Sequence, residues 1–159
     1  MLLAVLTVSD GCWQGDRTDT AGPAVVSLLK KQWPAAMVQT AIVPDEEEQI
    51  VAWLEQWHSL DAALILTAGG TGLGPRDRTP EATRRVIDRE APGLAEAVRA
   101  HGAAKTQYAW LSRGVAGLKG NTLIINLPGS KRGAEDSAAS ILLLIKHGLE
   151  TVAGSDKHP

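Results

Sequence analysis

Apolar runs of strand length alternate with segments of helical period along the chain. The apolar runs predict strands that are buried on both faces, and they cover residues 2–8, 37–43, 62–67 and 121–127. Repeated alternation of strand and helix predicts a mainly parallel sheet with helices on both of its sides. The pattern therefore indicates an α/β fold.

The segments between these runs predict the helices. One helix follows Asp19-Thr20, a second covers residues 45–58, and a third opens at Thr79, whose hydroxyl is predicted to cap it. After a break at Pro92-Gly93 a fourth covers residues 94–101, and the last covers about residues 135–152. The second of these begins with Asp45 and has Glu48 three positions later, which is the form of a capping box. This pattern predicts Asp45 as the N-cap of the helix and explains the residue without any chemistry.

Length and composition limit the possible classes of protein. The chain has 159 residues, of which 44% are hydrophobic and 21% charged, which predicts one globular domain over residues 1–153 and a frayed tail over 154–159. A net charge of −2 argues against electrostatic binding of nucleic acid or of an anionic membrane by the protein as a whole. The single cysteine excludes an internal disulfide framework and a cysteine-built zinc site. No apolar run reaches membrane-spanning length, and we expect a cytoplasmic protein.

Polar and glycine-rich residues follow each predicted strand. In open parallel sheets, ligands bind at the carboxyl ends of the strands. The positions to test are therefore Ser9 and Asp10, Asp45, residues 67–77 and residues 126–130.

The third of these positions carries the strongest local signal, the loop TAGGTGLG at residues 67–74. Its glycines allow a tight turn and a close approach to a ligand, and successive amides in such a loop can surround an anion. The loop fits neither a dinucleotide fingerprint nor a Walker loop, because Pro75 and Asp77 stand where those motifs need other residues. A flexible turn without a ligand is the alternative interpretation. The candidate contacts here are Thr67, Gly69, Gly70, Thr71 and Gly72.

Two acidic residues and one arginine could complete a phosphate site. Asp77 follows the glycine loop directly, and Asp45 ends a neighbouring strand, so both carboxylates could hold Mg²⁺ bound to phosphate oxygens. Arg76 could neutralise charge on a transferred phosphate. The alternatives are a solvated ion pair for the Arg76-Asp77 segment and a helix cap for Asp45.

Further candidates are polar residues near the last strand, each of which could also be an ordinary loop residue. They are Ser112, Asn126, Pro128, Gly129 and Ser130. The single cysteine and the four histidines show no metal-ligand spacing. The five tryptophans have no basic groove beside them, which favours the core or a subunit contact over base stacking.

Taken in chain order, these residues resemble the molybdenum cofactor biosynthesis family, which includes the molybdopterin adenylyltransferase MogA, the MoaB-like proteins and the G domain of gephyrin. The matching stretches are residues 6–10, 43–46, 64–74, 75–77, 79–82, 111–113 and 123–130. The resemblance implies a three-layer α/β/α sandwich with a mostly parallel sheet. It also places the two functionally important aspartates of the family on Asp45 and Asp77.

The resemblance further implies a reaction. In it the terminal phosphate of molybdopterin attacks the α-phosphorus of ATP, which gives adenylyl-molybdopterin and pyrophosphate with Mg²⁺ as the metal. It implies a homotrimer, or a hexamer built as a dimer of trimers, and a hand-over of product to a molybdenum-inserting enzyme. The alternative is a non-catalytic molybdopterin-binding or accessory protein of the MoaB-like branch.

Overall fold

The computed structural model describes residues 1–154 and contains one six-stranded sheet in the order β2-β1-β3-β6-β5-β4. The strands are β1 Leu2–Val8, β2 Met37–Val43, β3 Ala62–Ala68, β4 Arg89–Glu90, β5 Ala116–Lys119 and β6 Thr122–Leu127. The four longer strands run parallel to one another, whereas β5 is antiparallel to both β6 and β4. The mostly parallel α/β fold is therefore confirmed, and the two short strands are the ones that the pattern missed.

Six helices cover the two faces of this sheet. They are α1 Asp10–Trp13, α2 Ala21–Gln32, α3 Glu47–Ser59, α4 Thr79–Val86, α5 Pro92–Ala103 and α6 Lys131–Val152, and a short 3-10 helix covers Gln107–Leu111. Alternate residues of β1 enter different cores, since Leu3 packs with α2, α5 and α6 while Leu6 packs with α3 and α4. Both faces are buried, as expected for parallel strands with helical crossovers. None of the helices described within residues 1–154 is long and apolar enough to cross a membrane.

Strand β2 differs from its prediction as a strand buried on both faces. It lies at the edge of the sheet, where Met37 is 65% exposed and only Val43 of the seven residues is buried. The bounds of this strand match the prediction, and its side chains are less covered than those of the central strands because it lies at the margin of the sheet.

The starts of the helices also differ from prediction. Glu46, not Asp45, precedes α3 and makes no side-chain cap, so the capping-box prediction is wrong. Thr79 is the first residue of α4 and its hydroxyl donates to the carbonyl of Gly69 at 2.9 Å instead of capping the helix. Pro92 opens α5, because a proline at the first helical position removes an amide that has no partner there. Helix α6 begins at Lys131, earlier than predicted, and the predicted frayed tail lies outside the described residues except for Gly154.

Candidate functional site

Two adjoining cavities lie at the carboxyl ends of the parallel strands. The carboxylate cavity, of about 470 Å³, is lined by Asp10, Asp19, Asp45 and the starts of α1 and α2. The cationic cavity, of about 670 Å³, is lined by Arg99, His101, Lys105 and Arg132 from α5, α6 and the segment after α5. Both cavities are also lined by the same four residues, Gly70, Asp77, Gly129 and Ser130. The two spaces therefore meet at one junction.

The glycine loop after β3 can form only with glycine at its first two glycine positions. Gly69 has φ +107° and a Cβ there would lie 2.2 Å from the carbonyl oxygen of Val8. Gly70 has φ +64° and a Cβ there would lie 2.3 Å from Oγ1 of Thr79. The amide of Thr79 donates to the carbonyl of Gly70 at 3.0 Å, so the start of α4 holds the turn. The loop is thus a tightly supported wall of both cavities and not a flexible turn.

Asp45 and Asp10 are joined by two reciprocal hydrogen bonds between neighbouring strand ends. The amide of Asp10 donates to Oδ2 of Asp45 at 2.9 Å, and the amide of Asp45 donates to Oδ1 of Asp10 at 3.0 Å. Burial raises the pKa of Asp45, and the negative charges of Asp10 and Asp77 raise it further. The hydrogen bond from the amide of Asp10 lowers the pKa, but the net effect is an increase. The carboxylate of Asp45 therefore lies in a partly desolvated place with excess negative charge.

Asp77 supplies the second predicted carboxylate. Its Oδ2 accepts a hydrogen bond from the amide of Gly74 at 2.8 Å, and the residue lines both cavities. Asp45 and Asp77 both line the carboxylate cavity, so the two acids converge although 32 positions separate them in the chain. No group of three or more potential metal ligands occurs in the described part of the chain. Two carboxylates nevertheless suit Mg²⁺, which keeps several waters and takes phosphate oxygens as further ligands.

Arg76 is placed differently from its predicted role at a phosphate. Its Nε donates to Oδ2 of Asp10 at 2.6 Å, and its Nη2 donates to Oδ1 of Asp10 at 3.0 Å and to Glu46 at 2.8 Å. The hydrogen bond from Arg76 lowers the pKa of Asp10 below its usual value, and the amide of Asp45 acts in the same direction. Among the described residues, Arg76 is absent from the lining of both cavities. It ties the segment after the glycine loop to the end of β1 and the start of α3.

Thr67 and Asn126 lie inside the protein instead of at a cavity wall. Asn126 is 2% exposed and its Nδ2 donates to the hydroxyls of Thr67, at 3.0 Å, and Thr83, at 2.9 Å. Its Oδ1 accepts from the amide of Val115 at 3.1 Å. The side chain of Asn126 thus ties β3, α4 and the approach to β5 together behind the site.

The remaining predicted residues do line the cavities. Ser9 lines the carboxylate cavity, whereas Thr71, Gly72, Ser112 and Pro128 line the cationic cavity. Ser9 and Ser130 also cap helices, because their hydroxyls accept from the amides of Cys12, at 3.3 Å, and Gly133, at 3.1 Å. The structure brings these residues together with Asp45 and Asp77, and leaves Thr67, Arg76 and Asn126 outside the cavities.

Several functional candidates were missed by reading the sequence. One is Asp19, whose Oδ2 accepts from the hydroxyl of Thr7 at 2.7 Å and whose Oδ1 accepts from the amide of Gly22 at 3.0 Å, beside Asp45. The others are the basic residues of the cationic cavity, which come from separate elements and form no motif. Asp136 offsets part of their charge through ion pairs to Lys105 at 2.6 Å and to Arg132 at 3.7 Å. Among these missed residues, only Asp19 could have been found from the sequence, because it lies just before a predicted helix.

Comparison with known proteins gives concordant matches. The family profile described as "Probable molybdopterin binding domain" matches residues 4–147. A solved structure of the molybdopterin biosynthesis enzyme MoaB from Thermus thermophilus is 47% identical, covers 96% of each chain and has a TM-score of 0.86. A solved structure of MogA is 37% identical, covers 96% of this chain and 99% of that one, and has a TM-score of 0.91.

Curated relatives agree with the solved structures but differ in length. The molybdopterin adenylyltransferase of Escherichia coli is 33% identical over 141 residues, which are 87% of this chain and 72% of that protein. The molybdenum cofactor synthesis protein cinnamon of Drosophila melanogaster is 42% identical over 149 residues, which are 93% of this chain and 25% of that protein. Other matched relatives are also longer, and the chain spans 23% of Dictyostelium discoideum gephyrin and 47% of a bifunctional protein from Synechococcus elongatus.

Proposed function

The chain belongs to the molybdenum cofactor biosynthesis family, since the family profile matches most of its length, and on that premise we propose that it is a molybdopterin adenylyltransferase. Relatives at 30–33% identity carry that name. The proposed reaction joins molybdopterin and ATP and releases pyrophosphate.

The observation that carries the proposal is the junction between the two cavities. A transfer between two phosphate-bearing substrates needs two adjoining sites with a shared wall where the reacting atoms meet. Gly70, Asp77, Gly129 and Ser130 form that wall. Two adjoining spaces of this kind suit two phosphate-bearing substrates that react with each other.

We assign the triphosphate of ATP to the carboxylate cavity. Asp45 and Asp77 would hold Mg²⁺ there, and the bound ion supplies positive charge that offsets the charge of the phosphates and of the leaving pyrophosphate. The geometry of the two carboxylates supports this assignment. Burial raises the pKa of Asp45 and the charges of Asp10 and Asp77 add to it, and a bound cation would offset both effects on the charged form. The amides of the glycine loop approach the same space and add fixed dipoles.

We assign molybdopterin to the cationic cavity. Lys105 and Arg132, with Arg99 and His101 nearby, can bind its terminal phosphate by charge-assisted hydrogen bonds. A phosphate oxygen then forms a bond to the α-phosphorus of ATP, and the bond from that phosphorus to the pyrophosphate oxygen breaks. No protein nucleophile is required, because the attacking phosphate is already ionised at neutral pH. The work of the protein is to position two anions against their mutual repulsion.

The setting of this reaction is also proposed. Residues 1–153 would act as one molybdopterin-binding domain in the cytoplasm and assemble as a trimer, or as a hexamer built from two trimers. Large exposed apolar side chains, such as Leu143 at 80% and Trp110 at 59%, support contact with further copies. The product would pass to a molybdenum-inserting enzyme.

The test is pyrophosphate release from Mg²⁺-ATP with and without molybdopterin. We expect release that depends on molybdopterin and falls at least about 100-fold in Asp77→Asn, because the neutral amide removes a metal-binding charge. The matched control is Asp61→Asn, an exposed aspartate at the opposite end of β3 with φ +57°, a conformation that asparagine tolerates.

Either of two results would contradict the proposal. Normal release by Asp77→Asn at saturating Mg²⁺ would remove the carboxylate from the reaction. Tight molybdopterin binding without release from any variant would instead identify a binding or accessory protein.

A further inference from the structure

Arg113 makes four contacts to the loop after β3 and to α4. Its Nε donates to the carbonyl of Gly72 at 2.7 Å, and its Nη2 donates to the carbonyl of Asp77 at 2.5 Å. Its Nη1 pairs with Oε1 of Glu81, and its own amide donates to the carbonyl of Thr71 at 2.8 Å. The guanidinium therefore holds Gly72 and Asp77, near the two ends of residues 71–77, and the backbone of Arg113 holds Thr71.

These contacts determine where the carboxylate of Asp77 can lie. Within residues 71–77 the carboxylate is held only locally, by the hydrogen bond from the amide of Gly74. A Cβ on Gly72 or Gly74 would lie 2.9 or 2.7 Å from Oδ2 of Asp77, so the segment packs tightly around that oxygen. If the segment moves, the carboxylate moves with it. Thr79 holds Gly69 and Gly70, which precede the segment, whereas the Arg113 side chain joins Gly72 directly to Asp77.

The geometry requires an arginine. The planar guanidinium presents donors in fixed directions, and here it serves two carbonyls and one carboxylate at once. A lysine keeps the charge but cannot reach three acceptors in those directions. The half-buried position supports the same conclusion, since the Arg113 side chain is 32% exposed and ordinary surface ion pairs are more exposed and weaker.

Glu81 fixes the arginine at some cost to the fold. Its Oε2 is buried and is the one such side-chain atom in residues 1–154 without a hydrogen-bond partner. Burial raises the pKa of Glu81, but the hydrogen bond from Arg113 and the nearby positive charges outweigh it and lower the pKa overall. A buried polar atom without a partner needs a reason, and positioning a functional segment is one.

We propose that Arg113 is a positioning residue for the transfer reaction, which fixes residues 71–77 so that the Asp77 carboxylate stays at the junction of the two cavities. The proposal rests on the proposed function. It assigns Arg113 no contact with either substrate, since Arg113 does not line the two cavities among the described residues.

The first test is Arg113→Lys, with Arg85→Lys as its matched control. Arg85 lies in α4 and pairs with Glu47 and Glu48, but its side chain is 45% exposed and its ion pairs are to α3 and not to residues 71–77. In Arg113→Lys we expect kcat to fall about 100-fold, the effect of misplacing a reacting group by about 1 Å, and the Mg²⁺ concentration for half-activation to rise. The KM for ATP should change less than about threefold, because this contact is made behind the site. Arg85→Lys should match the parent in all three quantities.

A second readout does not depend on activity. Hydrogen exchange followed by mass spectrometry should show faster exchange over residues 71–77 in Arg113→Lys and no change in Arg85→Lys. If Arg113→Lys does not fold, Glu81→Gln provides the second variant, because it keeps an acceptor for Nη1 while removing the charge. It should give the same changes at smaller size.

The outcomes separate this inference from the proposed function. A lower unfolding temperature with unchanged kcat, Mg²⁺ dependence and exchange over residues 71–77 would overturn the proposal and make Arg113 merely structural. If the parent releases no pyrophosphate, the proposed function fails. In that case faster exchange, together with weaker binding of Mn²⁺ in the presence of α,β-methylene-ATP, would still support the positioning of Asp77 by Arg113.

Discussion

Replacing Asn126 by alanine tests whether this residue holds the site together or contacts a ligand. In the structure its side chain makes three hydrogen bonds, to the hydroxyls of Thr67 and Thr83 and from the amide of Val115. All three partners are buried, with exposures of 0%, 0% and 8%. Because water cannot reach these groups, the loss of Asn126 leaves them with unmet hydrogen-bonding capacity.

The expected cost follows from what each partner loses. A buried amide left without an acceptor costs about 1–3 kcal/mol, which applies to Val115. The two threonine hydroxyls accept in these bonds and lose only a donor, while their own O–H groups stay free to donate elsewhere. Each therefore loses a net hydrogen bond of about 0.5–1.5 kcal/mol. Together these changes lower the free energy of unfolding by about 4 kcal/mol. For a chain of this length that corresponds to a Tm lower by about 8–16 °C.

Urea unfolding at 25 °C measures this change directly, and Thr83→Val is the matched control. The valine removes one acceptor and leaves one N–H of Asn126 without a partner, for an expected loss of about 1–2 kcal/mol. In the double variant the two losses should be less than additive by about 1 kcal/mol, because the hydrogen bond between them can be removed only once. Nucleotide affinity measured on the folded protein at low temperature should stay within about threefold of the parent.

The reasoning would be refuted by the opposite combination of results. A loss of less than about 1 kcal/mol with a loss of nucleotide affinity greater than about tenfold would place Asn126 at the ligand.

Two further substitutions test the electrostatics and the backbone of the site. Asp45→Asn should unfold at a higher urea concentration than the parent at pH 7, because the folded state raises the pKa of Asp45 above 3.8 and so disfavours its charged form. This gain in stability should shrink as the pH falls through the raised pKa of Asp45 and vanish below pH 3.8, and a gain that does not depend on pH would contradict the electrostatic cause. The variant should also lose adenylylation activity. Gly70→Ala should lower the free energy of unfolding by at least about 2 kcal/mol, because φ is +64° and the added Cβ meets Thr79. Gly93→Ala, where a Cβ meets nothing within 4 Å, should change it by less than about 1 kcal/mol, and equal losses in the two variants would show that the loop at Gly70 can relax.

Much of this architecture could be read directly from local patterns. The aliphatic runs located β1, β3 and β6 to within about one residue, because a strand buried on both faces must be apolar throughout. The short strands β4 and β5 escaped notice, since two to four residues carry no readable periodicity. At Gly117 of β5 a Cβ would lie 2.5 Å from the carbonyl of Arg89, so the approach of two backbones, invisible in the sequence, explains that glycine.

The site was predictable to the extent that it follows from strand ends. Parallel strands carry their carboxyl ends to one edge, which is why the sequence predicts that Asp45, Asp77 and the glycine loop lie close together. Local rules failed where a side chain had two plausible partners. Asp45 had the sequence of a helix cap, but its carboxylate accepts from the amide of Asp10, which is 35 positions away.

The sequence by itself therefore determined the fold class and the edge of the sheet at which the glycine loop and the acidic residues meet, because these depend on the order and local character of segments. Only the tertiary structure decided that Arg76 pairs with Asp10, that the buried Asn126 hydrogen-bonds to Thr67 and Thr83, and that Arg113 holds the glycine loop. The two arginine contacts join residues that are 66 and 36 positions apart in the chain. Asn126 is a polar side chain that is buried inside the protein. A charged or amide side chain looks the same in a sequence whether it faces a ligand or a distant part of its own chain, and only folding selects between them.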